Sequence, residues 1–160
     1  MITVRITSDL VPAPARPVKL RSLVRTVCKR FRVSRAEIGI AIVDDARMRG
    51  LNRRHLNRRG STDCLSFDLS EEADRTKPRV FDIIVNGELA MREAARRGHS
   101  AEAELALYVV HGLLHQLGFD DAAAPQAERM HAMEDEILRD LGYGSVYNAD
   151  ARTHRTLKGN

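Results

Sequence analysis

Apolar residues recur along this chain with two periods, and the switches between them mark out its elements. Ile2–Ile6 alternates apolar and polar residues and predicts a strand. Val18–Phe31 places Leu20, Leu23, Val24, Val27 and Phe31 at helical spacing and predicts an amphipathic helix. Glu37–Val43 is a β-branched run and predicts a second strand. Asp44 and Asp45 suit the first turn of a helix running to about His55, because acids favour the N-terminal end of the dipole. Cys64–Leu69 and Arg79–Val85 read as two more strands, the second ended by Gly87. Glu88–Arg97 predicts a helix closed by Gly98. Ser100, with Glu102 and Glu104, opens another through the apolar run to about Leu117, where Gly118 suits a left-handed termination. Pro125–Leu141 carries Met130, Met133, Ile137, Leu138 and Leu141 on one stripe and predicts the last helix.

The intervening segments read as loops: Pro-rich at Val11–Pro17, polar with a glycine at Asn57–Asp63, and charged at Ser70–Pro78. Strands near 2–6, 38–43, 64–69 and 79–85, interleaved with helices, predict an α+β domain around a small four-stranded sheet. That domain should span residues 1–142. Residues 143–160 have little apolar content and are expected to form a mobile tail. No internal repeat is evident.

Composition narrows the function classes. With 160 residues and 43% apolar content, the chain is long enough to bury a core. Trp is absent and aromatics are 4%, which argues against a large aromatic platform as the main activity. The apolar runs are too short for a membrane span, and Met1–Leu10 lacks the layout of a signal peptide. Cys28 and Cys64 form no CxxC pair and read as reduced thiols of a cytoplasmic protein.

Net charge is +4, and its excess is local: Arg47, Arg49, Arg53, Arg54, Arg58 and Arg59 occur with no acid between Arg47 and Arg59. A solvated helix face and a phosphate-binding strip both fit that pattern, since arginine offers a planar fork for phosphate.

The densest chemistry lies in His111-Gly-Leu-Leu-His115-Gln-Leu-Gly118-Phe-Asp120-Asp121. Two histidines four apart on a helix share one face. A turn at Gly118 would return the chain, so that a carboxylate becomes a third ligand. His111, His115 and Asp121 are the expected metal ligands, with Asp120 able to replace or support Asp121. Three ligands leave a coordination position open for chemistry. Zinc proteases with this spacing carry a glutamate base after the first histidine; here that residue is Gly112. His55, His99, His131 and His154 read as solvated, with His131 alternatively supporting a ligand.

These residues resemble the YbeY family, bacterial metal-dependent endoribonucleases of rRNA maturation. The family string H-G-x-L-H-L-x-G-Y-D-H aligns with His111–Asp121, and L-N…S-T-D-x-L-S-F with Leu51-Asn52 and Ser61–Phe67. A third block, G-D-I-x-I followed by R-E-A, is similar to Phe81–Val85 and Arg92-Glu93-Ala94. The resemblance spans about Ile38 to Gly142. It implies a metalloprotease-like (zincin-like) α+β fold with a mixed sheet and the metal helix packed on it. It also implies single-strand RNA cleavage at a zinc site, action in 16S rRNA 3′-end maturation and ribosome quality control, and partnership with the small ribosomal subunit, but not with DNA or a membrane.

Two departures qualify that expectation. The family's third metal histidine is Asp121 here, a competent oxygen ligand that lowers the site's charge and widens metal preference from Zn²⁺ towards Mn²⁺ or another divalent ion. An arginine that the family carries falls on Leu56, and the family's aromatic and proline positions hold His55 and Ser61. Arg53, Arg54, Arg58 and Arg59 are then expected to bind the RNA backbone, with Arg58 and Arg59 as candidate catalytic groups. A ribosome-associated factor that keeps the metal site with weakened or no cleavage is the second expectation.

Overall fold

Strand alternation decides the layering. The computed structural model describes residues 1–147. Its elements are β1 (Ile2–Ser8), α1 (Pro17–Arg30), β2 (Ala36–Val43), α2 (Asp45–Leu56), β3 (Cys64–Asp68), β4 (Arg79–Asn86), α3 (Gly87–Arg97), α4 (Ala101–Gln116) and α5 (Ala124–Asp140). The sheet order is β1-β2-β4-β3, parallel between β1, β2 and β4, with β3 antiparallel on β4. It is a mixed four-stranded sheet: the residue pattern predicts the α+β domain and its four strands, and the resemblance implies the mixed sheet.

Every second residue of the central strands enters the main core. The register sets Ile38 beside Phe81, Ile40 beside Ile83 and Ile42 beside Val85, all buried. On the opposite face a smaller cluster joins Val43, Leu65, Ala41, Ile84 and Phe67 to Met48 and Leu51 of α2. Because α4 is apolar around most of its circumference, it is a central helix: Ala103–Val110 are all buried. It packs on β3, β4, α1, α3 and α5. No helix of the described residues is long and apolar enough to cross a membrane. Cys28 and Cys64 are both free thiols.

Gly112 marks the closest approach of α4 to the sheet. A Cβ there would lie 2.8 Å from Cys64 Sγ and 3.0 Å from Ile83 Cγ2. The residue after the first histidine is therefore glycine for a packing reason, and a glutamate has no room at that position.

Residues 143–147, expected to begin the tail, turn back onto the domain, with Ser145 and Val146 buried. Glycines at positive φ, Gly142 (88°) and Gly144 (77°), make that turn possible. The rest of the expected tail, including His154, lies outside the described residues.

Candidate metal centre

The last turn of α4 and the chain reversal after it assemble the site. The Phe119 amide donates to Leu114 O at 3.0 Å and the Gly118 amide to His115 O at 3.2 Å, with Gly118 at φ 101°. This is a Schellman closure, and it needs the left-handed residue that Gly118 supplies. Phe119 anchors the reversal edge-on against Phe31, 5.7 Å between centroids. The chain then passes back over the two imidazoles. His111 Nε2 and His115 Nε2 are 3.1 Å apart, and the Asp121 carboxylate lies 3.5 Å from the first and 3.6 Å from the second.

That triangle fits a small divalent ion. Ligands about 2.0–2.1 Å from a tetrahedral zinc stand about 3.3 Å from one another. His111, His115 and Asp121 thus form a group that could hold a metal ion. Asp120, the alternative left open by the sequence, is engaged elsewhere: its Oδ1 accepts from the Ala122 amide at 3.1 Å.

α5 contributes what the motif did not contain. Glu134, 1% exposed, accepts from His111 Nδ1 at 2.7 Å. A carboxylate on Nδ1 fixes the tautomer, leaving the Nε2 lone pair aimed at the Asp121 carboxylate and His115. His131 Nδ1 contacts the other Glu134 oxygen at 3.2 Å, and the two histidine rings lie 6.2 Å apart and nearly parallel. Of the two readings for His131, the structure favours support of a ligand, through this shared carboxylate. His111, His131 and Glu134 also stand close enough to count as a second ligand group. The 2.7 Å contact is better read as a hydrogen bond that orients a ligand. Burial alone would lower the His111 pKa, but the Glu134 hydrogen bond and charge outweigh it and raise it. A proton therefore competes with metal at His111 up to a higher pH than at an ordinary histidine. Glu134→Gln, which keeps the shape and removes the charge, is expected to weaken metal affinity about 10- to 100-fold, measured by competition with a chromophoric chelator.

A cleft of about 390 Å³ surrounds the triangle, lined among others by Arg58, Asp63, Cys64, Tyr108 and Tyr147. Burial pushes the Cys64 thiol well above its ordinary value. Arg58 reaches the cleft from the loop after α2. That loop is pinned by Asn86, whose amide donates to Asp45, Ser61 and the Thr62 carbonyl at 2.8–3.3 Å. Ser61 is thus an acceptor for the fully buried Asn86. His55 rests 5.2 Å from the Phe67 ring, centroid to centroid.

The arginine strip divides in two. Arg47 pairs with Asp9 and Arg49 with Asp45, so both serve the fold's surface. Arg53, Arg54, Arg58 and Arg59 are exposed, and Arg53, Arg58 and Arg59 line with Asn57 an adjoining recess of about 750 Å³. Arg58 is common to recess and metal cleft. Leu56, at the end of α2 and 45% exposed, lines neither. Sequence reasoning missed Glu134, although a signal existed: it falls on the same stripe as Met130, Ile137 and Leu138, where an acid must be buried and hence partnered.

Comparison with known proteins identifies the family. The family model described as Endoribonuclease YbeY matches residues 13–142, starting well before the motif blocks. An Endoribonuclease YbeY of Anaeromyxobacter is 35% identical over 88% of this chain and 73% of its own. Those of Roseiflexus and Janthinobacterium are 42% and 35% identical, covering 66% and 87% of this chain and 71% and 86% of theirs. A solution structure of a Thermotoga maritima protein superposes with a TM-score of 0.59 at 19% identity, covering 95% of this chain and 93% of that one, which shows the shared fold.

Proposed function

The chain belongs to the Endoribonuclease YbeY family, and we propose that it is a metal-dependent endoribonuclease cutting single-stranded RNA in the cytoplasm. His111, His115 and Asp121 would hold one divalent ion. Imidazole nitrogen favours Zn²⁺, and the carboxylate in place of a third histidine admits Mn²⁺. Such an ion, when bound, supplies Lewis acidity at a phosphate and acidifies a coordinated water. The protein's own contribution is positional. Glu134 holds His111 in the ligating tautomer. Arg58, with Arg59 beside it, offers guanidinium charge to a phosphate in the cleft as negative charge develops on its oxygens. Arg53 and Arg54, one α2 turn away, extend the strip along which an RNA backbone would run.

The observation that carries this reading is the convergence of two Nε2 atoms and one carboxylate in a cleft that also takes in Arg58. Nothing in that geometry selects a particular RNA. The 3′ end of 16S rRNA, and the small ribosomal subunit as its carrier, are the substrate and partner that the family membership suggests.

The test is cleavage of a labelled single-stranded oligoribonucleotide and of its duplex by the zinc- or manganese-loaded protein. Cutting of the single strand, lost on chelation and restored by metal, is the expected result. Leu56 favours a second reading, a ribosome-associated factor that retains the metal site without cutting. Binding to small subunits with no cleavage under either metal would replace the first reading with the second.

A further inference from the structure

His131 and Tyr147 have no place in the metal triangle, yet they extend it as a ladder of rings. His111 and His131 are near-parallel at 12°, and Tyr147 stacks on His131 at 7°, with centroids 3.6 Å apart. Tyr147 lines the metal cleft but remains 40% exposed.

The segment carrying Tyr147 is held in place. Its amide donates to Asp135 Oδ1 at 2.9 Å, and its carbonyl and that of Val146 accept from Arg97 at 2.6 and 2.7 Å. Arg97 is in turn paired with the buried Glu104 at 3.2 Å, and Val146 is itself buried. A polar network inside the domain thus fixes the backbone beneath one aromatic ring. An aromatic ring so fixed, 40% exposed and lining the metal cleft, has the attributes of a base-stacking surface. Single-stranded RNA leaves its bases unpaired and free to splay onto such a ring, whereas a duplex does not.

We propose that the open face of Tyr147 stacks one nucleobase of the strand lying in the metal cleft, so that the Tyr147–His131 pair sets the position of the nucleotide next to the phosphate that is cut. This inference rests on the endoribonuclease reading and adds to it a base-binding subsite and a physical reason for preferring single strands. It is compatible with the scarcity of aromatics, since it needs one ring and not a platform.

The test reads binding without turnover. A fluorescent oligoribonucleotide is titrated, in chelator, into the full chain and into Tyr147→Phe and Tyr147→Leu, with 2-aminopurine placed at each position in turn. Phenylalanine keeps the ring; leucine keeps an apolar cover over His131 but no stacking face. One position is expected to be quenched by the parent protein and by Tyr147→Phe but not by Tyr147→Leu. Affinity should fall roughly 10-fold in Tyr147→Leu, and the same loss should follow from removing the base at that position. Unchanged unfolding temperature and zinc content in Tyr147→Leu would separate stacking from structural support. If RNA binds and no position distinguishes Tyr147→Leu from the parent, the stacking inference falls while the nuclease reading stands. If no oligoribonucleotide binds either in chelator or with metal restored, the nuclease reading falls and takes this one with it.

Discussion

His115→Ala is expected to lose the bound metal and, with it, RNA cleavage. Removing one corner of the triangle leaves two ligands, His111 and Asp121, on opposite sides of the chain reversal at Gly118. Partners that only orient a ligand cost about 10- to 100-fold in affinity when removed, so loss of a ligand itself should exceed about 100-fold. The fold should survive, because His115 sits at the cleft on the last turn of α4 and is only half-buried. Metal-to-protein stoichiometry by elemental analysis, with circular dichroism as the control for folding, checks both halves of the expectation. Retained zinc in a folded His115→Ala protein would remove the triangle as the site. Acidification should act on the parent protein in the same direction. Metal binding requires neutral imidazoles, and the raised His111 pKa means that a falling pH protonates this ligand earlier than an ordinary histidine. Metal content and cleavage are therefore expected to decline together as pH falls towards and through that pKa, while rising pH leaves the site loaded.

What could be read in the sequence, and what could not, divides along a physical line. Periodicity is a property of neighbours along the chain, and it located the nine elements of the described residues, from the β1 alternation to the α5 stripe, within about two residues at their ends. His111, His115 and Asp121 lie within eleven consecutive residues, so helix geometry and one glycine turn suffice to bring them together. Glu134 and Tyr147 come to His111 from α5 and from the segment beyond it, across contacts that no local pattern encodes. Gly112 was legible as a missing glutamate, but its cause, the approach of Cys64 and Ile83, belongs to tertiary packing. The placement of residues 143–147 belongs to tertiary packing as well. Low apolar content suggests a tail there, yet Gly142 and Gly144 make a turn, Val146 is buried, and Arg97, forty-nine residues before Val146, takes the carbonyls.

Leu56 posed the sharpest question about activity, and the position of Arg58 bears on it directly. The family arginine falls on a side chain that faces neither cleft, whereas two residues later the chain has left α2 through Asn57, in the left-handed region at φ 50°, and carries Arg58 into the metal cleft. If Arg58 stabilises charge on the phosphate, Arg58→Ala should lower kcat by about 100- to 1,000-fold, the scale found when one preorganised donor to a developing oxyanion is lost. KM should change much less, because most backbone contacts would remain. Arg58→Lys should recover only part of the rate, since an ammonium keeps the charge but not the two-pronged geometry. Arg53→Ala and Arg54→Ala should show the opposite split: a near-normal kcat, weaker binding, and a salt dependence of log affinity shallower by about 0.7 for each phosphate contact removed from a single strand. Steady-state kinetics on one oligoribonucleotide at several salt concentrations distinguishes the two patterns. If Arg58→Ala instead behaves like Arg53→Ala, the strip only steers RNA, and the metal triangle must carry the phosphate chemistry without a guanidinium. Leu56→Arg is expected to leave kcat within about twofold, because Leu56 is 45% exposed and lines neither cleft.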